Sequence, residues 1–153
     1  MQKPNTWVCD VCGGSVENVR DGWVEWVEYK EPDGGWKGQD LRLVHHRERC
    51  MYNDREIVKR GGSVSDMHLH AFLGPDGLMY LLSKIAAGSI ATDEVLDMIK
   101  RLHIPGYEQA RRHFDRAIYE DVIQQELCPG HFYMQRDINA VLSHNWDDEI
   151  SGP

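Results

Sequence analysis

The stretch "WVCDVCGG" (7–14) decides how the N-terminal half is read. Cys9 and Cys12 form a Cys-x-x-Cys pair, followed at once by Gly13 and Gly14. Such a turn brings two thiolates to one point, and the glycines let the backbone bend so that amide N–H groups face the sulfurs. This is half of a tetrahedral metal site. Further along, "VHHRERC" (44–50) offers His45, His46 and Cys50 as the other half. Alternation along a strand puts His45 and His46 on opposite faces, so only one of them can be a ligand. The reading leans to His46, which stands closer to the loop carrying Cys50, with His45 as the alternative. The expected set is Cys9, Cys12, His46 and Cys50. Such soft and borderline donors select zinc. Four protein donors close its shell, so the expected role is structural rather than catalytic.

Between the two half-sites the pattern has period two. "GWVEWVEYK" (22–30) sets Trp23, Glu25, Val27 and Tyr29 on one side and Val24, Trp26 and Glu28 on the other. "EPDGGWKG" (31–38) is a turn-forming run, and "DLRLVHH" (40–46) alternates again, which makes a hairpin. Trp23 and Trp26 must face opposite sides, one in the core and one on the outer face, which either packs under helices or marks a binding surface.

A Cys-x-x-Cys knuckle joined to a hairpin resembles zinc ribbons and treble clefs, in which such a unit holds one zinc ion. The resemblance covers residues 7–50: Cys9 and Cys12 match the knuckle, and Cys50 with a histidine matches the second pair. The chain lacks the second Cys-x-x-Cys knuckle of those modules. Cys128, in "LCPGH", is a lesser candidate for the fourth donor, and its ordinary reading is a core cysteine at a helix end.

Near residue 62 the period changes to 3.6. Helices are expected over Pro75–Ala87, Thr92–Leu102, Gly106–Val122 and Gln135–His144, and "VKRGGSVSD" (58–66) reads as the hinge. The fold class is therefore α+β, a zinc-held N-terminal hairpin module (1–62) packed on three or four C-terminal helices (63–153), the two expected to form one compact domain.

Composition limits the function. The chain has 153 residues, 41% hydrophobic and 27% charged, a globular balance. Its net charge is −8, with −1 over residues 1–62 and −7 over 63–153. An acidic surface repels phosphate backbones and disfavours general nucleic-acid binding. No stretch has the length of a membrane span, and "MQKPNTW" has no apolar core of a secretory signal, so the expected address is the cytoplasm.

Other features are weaker. His68 and His70 in "MHLHAFLGPDG" (67–77), flanked by Asp66 and Asp76, form a His-x-His pair that could chelate metal, although isolated histidines are more often without such a role. The "HH" of 45–46 resembles the His-metal nucleases, which would cast a histidine as general base with Asn53 and His68 in support. The second and third helices, joined by "HIPG", have the length of a helix-turn-helix whose basic face would be Arg111, Arg112 and Arg116. Carboxylates at helical spacing (Glu108, Asp115, Glu120) make that face a solvated one. No phosphate-binding glycine loop or nucleophile elbow occurs. By elimination, the expectation is a non-enzymatic interaction protein, an adaptor, regulator or inhibitor with a protein partner. A DNA-binding regulator and a nuclease are the alternatives.

Overall fold

The computed structural model describes residues 6–124 and 130–146, and its fold is α+β. It divides into two compact units, 1–103 and 104–153.

The first unit begins with two short paired strands, β1 (Trp7–Val8) and β2 (Ser15–Val16), which close the cysteine knuckle. Then come β3 (Gly22–Lys30) and β4 (Trp36–His45), the expected hairpin. The strand starts at Trp36 rather than at 40, because the turn is made by 31–35 alone: Glu31 N donates to the Gly35 carbonyl and Gly34 N to that of Glu31. A bulge lies between Glu25 and Val27. A short helix, α1 (Asp54–Lys59), is capped by Asn53, whose Oδ1 accepts from Glu56 N at 3.2 Å. The chain then adds β5 (Gly62–His68) antiparallel to β3, giving the order β4-β3-β5.

The expected hinge at 58–66 is thus the end of a helix and most of a strand. The domain boundary accordingly falls after His103 and not near 62. Backbone pairing along β3 ties residues 62–68 into the sheet, and the next two helices, α2 (Gly74–Ala87) and α3 (Thr92–His103), share its core. That core joins Val24, Trp26 and Leu43 to Phe72, Leu81, Val95 and Met98. Trp26 is the core tryptophan and Trp23 is half-buried. Close approach explains Gly38: it bridges to Ile90, and a Cβ there would lie 2.8 Å from the Trp26 ring.

The second unit holds α4 (Tyr107–Ala110), α5 (Phe114–Tyr119) and α6 (Gln135–Ser143) around Phe114, Ala117, Ile138 and Val141. The single helix expected over 106–122 is broken, because Arg111–His113 tighten into a 3-10 turn. The tightening alters the ion-pair spacing: Arg111 meets Glu108 at 4.0 Å, whereas Arg116 keeps the expected Glu120 at 2.9 Å.

Candidate metal centre

The knuckle is fixed by its backbone. Cys9 N donates to the Gly14 carbonyl and Gly13 N to the Cys9 carbonyl, both at 2.9 Å. Gly13 has φ +71°, a conformation that side chains resist. Asp10 then docks the loop on β4: its N–H donates to the Leu43 carbonyl and its carboxylate accepts from Leu43 N, both at 2.8 Å. Arg101 on α3 closes the arrangement, donating to Asp10 Oδ2 at 2.8 Å and to the Val8 carbonyl at 3.0 Å.

Four donor atoms converge within 4.8 Å of one another: the sulfurs of Cys9, Cys12 and Cys50 and a ring nitrogen of His45. Among the described residues this is the one group of three or more His, Cys, Asp or Glu side chains that could hold a metal ion. Cys9, Cys50 and His45 are buried and Cys12 is exposed. The Nδ1 of His45 lies 3.3 Å from the Cys12 sulfur and 3.9 Å from that of Cys50. Its other nitrogen, Nε2, lies 3.0 Å from the Ser15 carbonyl, an acceptor only. Nε2 therefore carries the proton, and the Nδ1 lone pair faces the sulfurs, as a metal ligand requires.

His46, the histidine towards which the sequence leaned, is not in this group. β4 alternation turns it to the opposite face, where it stacks on Trp23 with ring centroids 4.2 Å apart and planes 5° apart. Nearness of His46 to Cys50 along the chain is undone by the turn after β4: Cys50 N donates to the Arg47 carbonyl, and the chain folds back towards His45. Cys128 lies outside the described residues.

Electrostatics favour a cation here. Burial pushes the Cys9 thiol up, but the amides of Cys12, Val11 and His45 and the Cys12 side chain outweigh it, and the pKa falls to about 6. Amides at Gly14 and His45, each 3.4 Å from a sulfur, are hydrogen-bond donors to the thiolates. Cys50 is pushed up by burial and then by Cys9 and Cys12. Thiolates this close together would repel one another, and a divalent cation among them would relieve that repulsion.

The remaining candidates are placed elsewhere. His68 ends β5, edge-on to both Trp23 and His46, and His70 lies in the 3-10 turn Leu69–Phe72. Asn53 is spent on the cap of α1. No local pattern marks the Asp10–Arg101 clamp, because its partners stand 91 residues apart. No known protein family, curated protein or solved structure matches this chain.

Proposed function

We propose that the chain is a zinc-stabilised interaction protein of the cytoplasm, an adaptor, regulator or inhibitor that acts by binding another protein. The observation that carries this reading is the donor set: three sulfurs and one imidazole, all from the protein, converge on one point. Zinc prefers such ligands, and a shell filled by four of them leaves no position for a reacting water. The ion then holds the knuckle against the hairpin and leaves the surface to make contacts. Exposed apolar side chains are available for that purpose: Met79 and Leu82 on α2, and Trp36 at the start of β4.

The DNA-reading alternative draws less support, since Arg111 and Arg116 carry carboxylate partners and the chain is acidic overall. The test is affinity capture from a native lysate with zinc-loaded chain, beside Met79→Glu/Leu82→Glu and Trp36→Ala variants. Recovery of a stoichiometric protein that either variant releases supports the reading. Magnesium-dependent cleavage of plasmid, or a low-salt gel shift abolished by Arg111→Ala, Arg112→Ala and Arg116→Ala together, would replace it.

A further inference from the structure

A second, separate feature of the first unit is an open surface cleft of about 560 Å³ lined by Asn18, Val19, Arg20, His68 and His70, of which all but the half-buried Val19 are exposed. It lies between the 3-10 turn Val19–Asp21 and the junction of β5 with the turn Leu69–Phe72. We propose that this cleft binds a phosphate ester, a small molecule whose phosphate is held by Arg20, His68 and His70.

The chemistry of the lining carries the proposal. Arg20 brings a guanidinium, a planar fork of N–H donors suited to phosphate oxygens. Each imidazole can present an N–H donor to a phosphate oxygen. The Oδ1 of Asn18 already accepts from Arg20 N at 3.0 Å, which leaves its amide NH2 to donate. Among the described residues no carboxylate lines the cleft, and none forms an ion pair with Arg20, His68 or His70. Asp66 senses the charge of His68 but lies outside the lining. In a chain of net charge −8, donor side chains gathered around a space with no carboxylate in its lining form a local exception.

Both walls are held before any ligand arrives. Asp21 N donates to the Asn18 carbonyl at 2.9 Å, closing the turn that presents Arg20. Leu69, between the two histidines, is fully buried and packs where a Cβ on Gly22 would collide with it. That anchor fixes the backbone on either side of it. The volume exceeds what one phosphate needs, leaving room for the organic part of an ester.

The test is calorimetry on the zinc-loaded chain with inorganic phosphate, adenosine monophosphate and glucose 6-phosphate, with adenosine as the uncharged control. The expected result is saturable one-to-one binding of at least one phosphate ester, none of adenosine, and weaker binding in added salt. Arg20→Ala and His70→Ala should each weaken binding by about 10-fold or more while the zinc content and Tm stay unchanged. An ester that binds more tightly than inorganic phosphate establishes the organic subsite. Equal affinities confine recognition to the phosphate and overturn the ester assignment. No saturable binding of any phosphate probe up to about 10 mM, or full affinity in both variants, overturns the proposal altogether.

Discussion

His45 aims Nδ1 at the three sulfurs because its Nε2 is committed to the Ser15 carbonyl, while His46, one residue on, stacks on Trp23. The two substitutions should therefore part company. His45→Ala is expected to weaken zinc affinity by more than the roughly 10- to 100-fold that loss of an outer-shell partner costs, and His46→Ala to leave it unchanged. Competition against a chromophoric chelator measures both. Proton linkage gives a second prediction at this scale. Burial and the neighbouring thiols raise Cys50, so its proton must leave when the ion binds, and affinity falls as pH drops. Below about pH 6 Cys9 protonates as well, and the fall steepens. Titration of zinc affinity between pH 8 and pH 5 checks the sign. An affinity that rose towards acid would contradict it.

At the scale of the element, the knuckle depends on α3. Arg101, with only 3% of its side chain exposed, holds Asp10 and the Val8 carbonyl together beneath the metal loop. Arg101→Met removes these two bonds, while Asp10, whose side chain is 24% exposed, keeps its bond from Leu43 N. The expected loss is about 2 kcal/mol, below the 3–5 typical of a fully buried pair, read as a lowered Tm with zinc bound. Elements of strong period were legible in the sequence: the hairpin, α2, α3 and α6 lie where alternation and the 3.6 repeat place them. The knuckle and Cys50 were legible too, since chemistry restricts thiols at such spacing. What escaped were β5 and α1, in a stretch of glycine and polar residues whose apolar side chains are too few to set a period. Pairing with β3 makes 62–68 a strand, and that is a tertiary effect. The break at Arg111–His113 has no mark in its local sequence.

For the whole molecule, a metal held by the loop between β1 and β2, the end of β4 and the turn after it would bind the folded chain far more tightly than the unfolded one, so its binding free energy would become stability. At free zinc about 1,000-fold above Kd the gain is about 4.1 kcal/mol, which raises Tm by roughly 15 °C over the chelated protein. Differential scanning calorimetry with and without chelator reads this directly, and an unchanged Tm would mean that the ion is not part of the fold. No helix among the described residues is long and apolar enough to cross a membrane. X-ray absorption at the zinc edge of the full chain, purified without chelator, reads the donor set itself. The expected shell is three sulfurs at about 2.3 Å, one nitrogen at about 2.0 Å and no oxygen. Four sulfurs, a coordinated water, or no stoichiometric zinc to measure would contradict it.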